Sequence, residues 1–184
     1  MSLDVEAGTV HAVVGENGAG KSTLGKVLAG LYAPDDGEIL VDGQPTGRWS
    51  VNRAQDHGIV MIAQELSLVP QLTVAQNIFL GLERNVLGLL TGSLRARYDA
   101  LESTVQFGLD PNVKVEQLKI AEQQKVEILR ALARDARVLI LDEPTSSLTG
   151  HETEQLHATV RSLVAGGTAV IYVSHFLDAV LEVS

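Results

Sequence analysis

The chain has 184 residues, 45% hydrophobic and 20% charged, so it is long enough for one domain with an apolar core and too short for two comfortable ones. Its 14 basic and 23 acidic residues give a net charge of −9, which disfavours a nucleic-acid partner. The absence of cysteine excludes disulfides and thiolate sites, and neither a signal peptide nor a membrane-spanning apolar run is predicted.

The first predicted elements alternate short strands with helices. Residues 9–15, TVHAVVG, predict a buried strand that runs into a glycine-rich turn. The helix after this turn has an apolar face that consists of Leu24, Val27, Leu28 and Leu31. Residues 37–45 predict a short strand closed by a turn at Asp42-Gly43, and residues 58–64 predict another strand that ends at Gln64.

The middle of the chain, from about Ser67 to Leu132, is predicted to be mostly helical and to form an insert between two sheet strands. One of its helices has an apolar face at helical spacing, formed by Leu94, Tyr98, Leu101 and Val105. Gly108 is placed to end that helix.

The last third of the chain returns to alternating strands and helices. Residues 137–143 predict a buried strand, residues 168–175 predict the last strand, and residues 176–183 begin a further helix. The helix between the two strands ends at Gly166-Gly167, and its apolar face consists of Leu156, Val160, Leu163 and Val164. The alternation indicates an α/β layer fold with a largely parallel sheet.

The stretch GENGAGKST fits the phosphate-binding pattern G-x-x-x-x-G-K-[ST], with a strand before it and a helix after it. It predicts a nucleotide-binding loop made of Gly15, Glu16, Asn17, Gly18, Ala19, Gly20, Lys21, Ser22 and Thr23. Lys21 is expected to reach the β- and γ-phosphates, and the Ser22 hydroxyl to ligate Mg²⁺. A glycine-rich turn that binds nothing is the alternative, which the combination of strand, glycines, lysine and helix disfavours.

Polar residues end three further predicted strands. Asp142 is expected to hold Mg²⁺ through water, and Glu143 to polarise an attacking water. An acidic strand end that only caps a helix is the alternative for this pair. Gln64 could ligate a metal through its amide, and His175 could contact a γ-phosphate. For these two, a solvated glutamine and a structural histidine remain alternatives.

Four stretches together, GENGAGKST, AQELSLVPQLTVAQNIFLG, ILDEPTSSLT and IYVSH, resemble the ATP-binding subunits of ABC transporters. The residues around Gln64 and EPTSSLT are most similar to importers of monosaccharides such as ribose, xylose or galactose. The resemblance covers essentially the whole chain. It implies an α/β fold, a P-loop NTPase sheet flanked by helices, with a small antiparallel β portion and a helical insert. Residues 1–184 would form one incomplete cassette whose helical subdomain spans about 66–134.

The resemblance also implies a function, namely binding and hydrolysis of MgATP to drive sugar import. In the family, the glutamine that matches Gln64 couples the metal to the membrane partner, Glu143 matches the catalytic carboxylate, and His175 matches the γ-phosphate sensor. The metal ligands would be Ser22, Gln64 and Asp142. The implied partners are transmembrane permease subunits, a second cassette and, indirectly, a periplasmic or extracellular sugar-binding protein, with no nucleic acid. The implied location is cytoplasmic, peripheral on the inner face of the cell membrane.

Each cassette of this family offers a signature loop, usually Leu-Ser-Gly-Gly-Gln, to the ATP of its partner. The matching residues here are Leu118, Lys119, Ile120, Ala121, Glu122 and then Gln123. Lys119 replaces the serine that would donate a hydroxyl to the γ-phosphate, Ala121 replaces the second glycine, and Glu122 adds negative charge near a polyanion. Thr149 stands in a loop position where the family often has aspartate.

The chain is expected to be truncated at both ends relative to the family. Nothing aromatic precedes Tyr32, although the family has an upstream ring that stacks on adenine. Further strands, and in sugar importers a second cassette, are expected after Val183. One alternative is therefore a truncated or degenerate nucleotide-binding module with little hydrolysis. Another is a soluble ABC-type ATPase acting on nucleic acid or ribosomes, which the acidic charge and the sugar-importer resemblance disfavour.

Overall fold

The computed structural model describes residues 2–82, 85–86, 89–90 and 93–175. The chain divides into two compact units. The first comprises Met1–Gln64 and Ala136–Ser184, and the second comprises Glu65–Asp135. The helix predicted from residue 176 lies outside the described residues.

The first unit contains a sheet with helices and a small hairpin. In chain order its described elements are β1 (Val10–Val14), α1 (Lys21–Leu28), β2 (Leu40–Val41), β3 (Gln44–Pro45), α2 (Val51–Asp56), β4 (Ile59–Ile62), β7 (Val138–Asp142), α6 (Gly150–Ala165) and β8 (Ala169–Ser174). The second unit supplies the elements between β4 and β7, namely α3 (Val74–Phe79), β5 (Asn85–Val86), β6 (Leu89–Leu90), α4 (Leu94–Val105), a 3₁₀ turn (Val115–Gln117) and α5 (Ile120–Leu132).

The sheet of the first unit is parallel, with strand order β1-β8-β7-β4. Val14 at the end of β1 pairs with Ser174, and Asp142 at the end of β7 pairs with Val173. The carboxyl ends of these strands therefore meet at one edge, which is where open parallel sheets bind ligands. The predicted parallel α/β arrangement is confirmed.

Burial differs between the central and outer strands of the sheet. All residues of the central strand β8 are buried, as are the last four of β7, which matches their continuous apolar sequences. The prediction of a buried first strand is wrong in part, because β1 lies at the end of the strand order and Val14 is 41% exposed. Val13 is the residue of β1 that is buried, in a cluster with Ile171 and Val173.

Glycine sets how helix α1 packs. The helix ends at Leu28, so Leu31 is not on its face and is 55% exposed, contrary to the prediction. Gly25 is buried instead, and a Cβ there would lie 3.3 Å from side-chain atoms of both Met61 and Ile140. The missing side chain lets the helix backbone approach the sheet closely.

The predicted turn at Asp42-Gly43 is confirmed. It joins β2 and β3 into an antiparallel hairpin, and both turn residues have positive φ angles of 50° and 75°. Two positive φ values are typical of the type I′ turn that matches the strand twist. Arg137 donates two hydrogen bonds of 3.0 Å to the Asp42 carboxylate. These bonds, and then the guanidinium charge, lower the pKa of Asp42.

The second unit has its own apolar core. This core consists of Val74, Ile78, Phe79, Tyr98, Leu109, Val115, Val126 and Leu129. The Tyr98 hydroxyl donates to the Leu109 carbonyl at 2.6 Å, and burial raises the Tyr98 pKa above its usual range. The predicted helix at 94–105 is confirmed, but Gln106 rather than Gly108 ends it in the left-handed conformation. The Gly108 N–H instead donates to the Glu102 carboxylate.

The predicted helix before the last strand is also confirmed. Helix α6 ends at Ala165 and is followed by Gly166. It buries Leu156, Val160 and Leu163 as expected, while the fourth predicted residue, Val164, is half-buried. It also buries His157, which the apolar pattern omitted. His157 Nε2 lies 3.3 Å from the Tyr172 hydroxyl of β8. Within the described part of the chain, no helix combines the length and apolar character needed to cross a membrane.

Candidate functional site

The loop between β1 and α1 is closed around its own lysine. Gly18 and Gly20 have φ angles of 85° and 93°, which other residues adopt only with strain, and Gly20 is the N-cap of α1. Lys21 Nζ donates to the carbonyls of Gly15 at 2.7 Å and Glu16 at 3.0 Å and is only 8% exposed. The lysine is thus held beside the glycine-rich turn at the start of the helix.

Ser22 and Asp142 meet although they are far apart in sequence. The Ser22 hydroxyl donates to Asp142 Oδ1 at 2.8 Å, and Asp142 is 6% exposed at the end of β7. Hydroxyl, carboxylate and amide oxygens are the donors that Mg²⁺ takes in phosphate-binding sites. Ser22 and Gln64 line one cavity, and Asp142 is bonded to Ser22, so these three residues provide a donor set that fits this ion.

Glu143 and His175 form the second contact of the site. His175 Nδ1 lies 2.6 Å from Glu143 Oε2, and the side chains are 32% and 13% exposed. Glu143 has a positive φ of 49°, an uncommon conformation for a residue with a side chain. Its N–H donates to the Val173 carbonyl at 3.0 Å, so the strained residue is anchored to β8. Strain of this kind is concentrated at functional sites.

A cavity of about 400 Å³ lies at this edge of the first unit. The residues that line it are Asn17, Gly18, Gly20, Lys21, Ser22, Thr23, Gln64, Glu143 and His175. The structure thus brings together the predicted loop, Gln64, Glu143 and His175, while Asp142 contacts the group through Ser22. Gly15, Glu16 and Ala19 belong to the loop, and the first two hold Lys21 through their carbonyls.

The six predicted signature-loop residues lie in the second unit, where α5 begins. Lys119 is the extended N-cap residue, and its N–H donates to Glu122 Oε2 at 2.9 Å. A lysine side chain has no acceptor, so only this half of a capping box exists. Gln123 Nε2 donates to the Leu118 carbonyl at 3.0 Å. The contact of this loop with a partner's ATP remains a prediction.

Thr149 has a clear structural part in the first unit. It is the N-cap of α6, its N–H donates to Glu152 Oε2 at 2.9 Å, and its hydroxyl accepts from the Glu152 N–H at 3.4 Å. A complete capping box of this type stabilises the start of a helix. The departure at Thr149 therefore preserves a helix start.

Asn77 and Glu127 are buried polar residues of the second unit that were not predicted from the sequence. Asn77 is 1% exposed, accepts from the Val69 N–H at 2.7 Å, and donates to the carbonyls of Val69, Leu72 and Thr73. Glu127 is 7% exposed on α5 and bonds Ser67. The available signal was a polar residue flanked by apolar residues that face a core, as Glu127 is by Val126 and Ile128.

Comparison with known proteins agrees with the geometry. The family described as ABC transporter matches residues 1–146. A ribose import ATP-binding protein of Hahella chejuensis is 44% identical over 185 residues, covering 100% of this chain and 37% of that protein. An arabinose import ATP-binding protein of Burkholderia ambifaria is 49% identical over 181 residues, covering 98% and 36%. The chain thus spans little more than a third of the length of these relatives.

Solved structures show the same fold. An ATP-binding cassette of an ABC transporter in its ADP conformation has a TM-score of 0.86 at 22% identity, covering 100% of this chain and 76% of that chain. A component of an ABC transporter complex of Clostridium perfringens has a TM-score of 0.83 at 25% identity, covering 99% and 73%. The predicted fold class is confirmed.

Proposed function

The chain belongs to the ABC transporter family, and from this premise we propose that it binds and hydrolyses MgATP to drive import of a monosaccharide. The observation that carries the proposal is the hydrogen bond of 2.8 Å between Ser22 Oγ and Asp142 Oδ1. It joins the end of the phosphate-binding loop to the acidic end of β7. Glu143 and His175 complete the same cavity.

The loop residues would bind and orient the triphosphate. The left-handed glycines let backbone N–H groups turn toward phosphate oxygens, and α1 directs its positive end to the same place. Lys21 would move its ammonium from the carbonyls of Gly15 and Glu16 to phosphate oxygens. Mg²⁺, which Ser22, Asp142 and Gln64 would hold, neutralises phosphate charge when bound.

Glu143 is proposed as the group that accepts the proton of the attacking water. Its carboxylate lies at the cavity and is 13% exposed, so one face can meet a water molecule. His175 lies within hydrogen-bond distance of that carboxylate. When the γ-phosphate is present, a ring N–H of His175 is proposed to donate to it. Gln64 is proposed to change position when the cavity is occupied and so to displace the residues that follow it in the chain.

The sugar class is proposed from the relatives. The relatives described above carry names for import of ribose and arabinose, and a putative ribose/galactose/methyl galactoside import ATP-binding protein of Burkholderia cenocepacia is 49% identical over 185 residues. We propose that the chain assembles with transmembrane permease subunits and a second cassette at the cytoplasmic face of the membrane. Lys119 and its neighbours would face the ATP of that second cassette.

Nucleotide binding is tested by calorimetry of the chain with MgATP at up to millimolar concentration. Binding is expected, with an affinity about 10- to 100-fold lower in Lys21→Ala, because a hydrogen bond to a charged group is lost. Lys26→Ala is the matched control, since this lysine of the same helix lies over the Tyr32 ring. No heat of binding from the unaltered chain would contradict the proposal.

Transport is tested with a chimera. This chain replaces the matching region of a ribose import relative, and ribose uptake by cells lacking the native subunit is measured. Uptake is expected from the chimera and not from its Glu143→Gln form. A chimera that is produced and membrane-bound, but inactive for ribose, arabinose and galactose, would argue against the sugar class.

A further inference from the structure

Glu127 is a buried carboxylate that the proposed chemistry does not use. It lies on α5, is 7% exposed, and accepts two hydrogen bonds from Ser67 through Oε1. The donors are the Ser67 N–H at 2.8 Å and the Ser67 hydroxyl at 3.0 Å. A buried carboxylate is energetically expensive unless it is paired and hydrogen-bonded, so this one is fixed where it lies.

Arg130, one turn further along α5, holds the same residue. Arg130 Nη1 donates to the Ser67 carbonyl and to its hydroxyl, each at 3.2 Å, and lies 3.7 Å from Glu127 Oε2. The backbone N–H, the backbone carbonyl and the hydroxyl of Ser67 are therefore all bonded to two side chains of one helix. We name the set Ser67, Glu127 and Arg130 the serine clamp.

The serine clamp lies between the nucleotide cavity and the signature loop along the chain. Ser67 follows Gln64, a residue of the cavity lining, by three positions. Helix α5, which bears Glu127 and Arg130, begins at the signature-loop residues Lys119 to Gln123. The clamp thus attaches the segment that leaves the nucleotide cavity to the helix that carries the loop predicted to meet a partner's ATP.

We propose that Glu127 is a positioning residue that couples a displacement of the chain after Gln64 to helix α5. Nucleotide binding at Lys21 and Ser22 would then change the conformation of the residues at the start of α5. The inference rests on the proposed function, and it adds a specific residue to it. A displacement of Gln64 moves Glu65 and Leu66, and Ser67 transmits the displacement because all of its polar atoms are bonded to α5.

The rest of the segment is held separately from the clamp. Asn77 of α3 bonds Val69 and Leu72, which lie beyond Ser67, and bonds neither clamp side chain in its described contacts. Loss of Glu127 is therefore expected to release Ser67 while residues 69–73 keep their anchor. A purely structural role for Glu127 predicts a different result, a uniform loss of stability across the second unit.

Amide hydrogen exchange of the whole chain, with and without MgATP, separates these two roles. The variants are Glu127→Ala, which removes the carboxylate, and Val126→Ala, a matched control that weakens the adjacent buried core position. Ser67→Ala is a third variant, at an exposed residue whose substitution leaves the core intact. If Glu127→Ala does not fold, Ser67→Ala distinguishes the coupling role from the purely structural one.

Without nucleotide, exchange at residues 65–68 is expected to rise about tenfold or more in Glu127→Ala, as for loss of hydrogen bonds to a charged acceptor. With MgATP, the unaltered chain is expected to show slower exchange at 15–23 and at 118–124. In Glu127→Ala, MgATP is expected to slow exchange at 15–23 as before but no longer at 118–124. In Ser67→Ala, the slowing at 118–124 is expected to be partly lost. Val126→Ala exchanges faster throughout the second unit and keeps both responses.

Three results would overturn the clamp. They are unchanged exchange at 65–68 in Glu127→Ala, a retained response at 118–124 in both Glu127→Ala and Ser67→Ala, or no response there in the unaltered chain. Absence of protection at 15–23 in the unaltered chain is instead the failure of the proposed nucleotide site. The measurement without nucleotide still decides whether Glu127 holds Ser67 in that case.

Discussion

Glu143 and His175 hold one another at 2.6 Å across the ends of two neighbouring strands, β7 and β8. This contact with the imidazole fixes the orientation of the Glu143 carboxylate. The two residues therefore form one unit in the site, and the substitution of either changes the surroundings of the other.

Under the proposed function, Glu143→Gln is expected to lower ATP turnover by about 100- to 10,000-fold, the usual contribution of a general base. MgATP affinity should stay within about threefold, because Lys21 and Ser22 are untouched and loss of a single interaction changes binding mainly where it is made. Turnover and nucleotide affinity are measured separately. Glu154→Gln on the exposed side of α6 is the control. Unchanged turnover in Glu143→Gln would assign the water-activating role to another residue.

Lys119→Ser is expected to raise the free energy of unfolding by about 1 kcal/mol, because serine supplies the side-chain acceptor that an N-cap needs. Glu122 already accepts from the residue 119 N–H, so the capping box would become complete. Urea unfolding of the chain without nucleotide measures this. Thr149→Ala, which removes the equivalent bond of α6, should change stability by a similar amount in the opposite direction. A less stable Lys119→Ser chain would show that the lysine makes a favourable contact.

Gly30→Ala is expected to destabilise the chain by about 3 kcal/mol or more, from left-handed strain and a steric clash together. Gly30 has a φ of 74°, and a Cβ there would lie 2.3 Å from the Ser50 carbonyl carbon. Gly37→Ala is the matched control, because its φ is 90° but no atom lies within 4 Å of the added Cβ. The control should lose only about 1 kcal/mol. Equal losses in thermal unfolding would show that the contact with Ser50 relaxes freely.

Arg137→Met is expected to return the pKa of Asp42 toward its ordinary value of about 3.9, since Arg137 is the main cause of its lowering. The folded pKa lies below the unfolded one, so the pair stabilises the chain above the unfolded pKa. That contribution disappears as the pH falls through the lowered folded pKa. Carboxyl titration of Asp42 by NMR, in the unaltered chain and in Arg137→Met, checks the shift. An unchanged Asp42 titration in Arg137→Met would contradict the assignment.

Site features made of residues that are adjacent in sequence were predictable. The loop from Gly15 to Thr23 and the pair Asp142–Glu143 each consist of adjacent residues, and strand ends place them at one edge of a parallel sheet. The turn at Asp42-Gly43 was predictable for the same reason, because its backbone preference is local.

Features that depend on one particular bond or backbone conformation were not predictable in this way. Glu127 and Ser67 are 60 positions apart, and the apolar neighbours Val126 and Ile128 indicate that Glu127 is buried but not which residue it bonds. Leu31 follows the helical spacing of α1, but the left-handed Gly30 ends that periodicity first. Helix α4 ends at the left-handed Gln106 rather than at the more obvious Gly108, whose N–H is instead bonded to the Glu102 carboxylate. In each case a tertiary or capping contact outweighed a local preference.

The carbonyls of Gly15 and Glu16 accept hydrogen bonds from the Lys21 ammonium and hold it beside the glycine-rich loop. Much of the conformational entropy of a long side chain, about 2 kcal/mol for lysine, is therefore lost during folding rather than during binding. Under the proposed function, a bound phosphate would exchange one set of oxygen acceptors for another at a cation that is already in position. These two bonds thus hold the Lys21 side chain in place beside the phosphate-binding loop, which is a form of preorganisation.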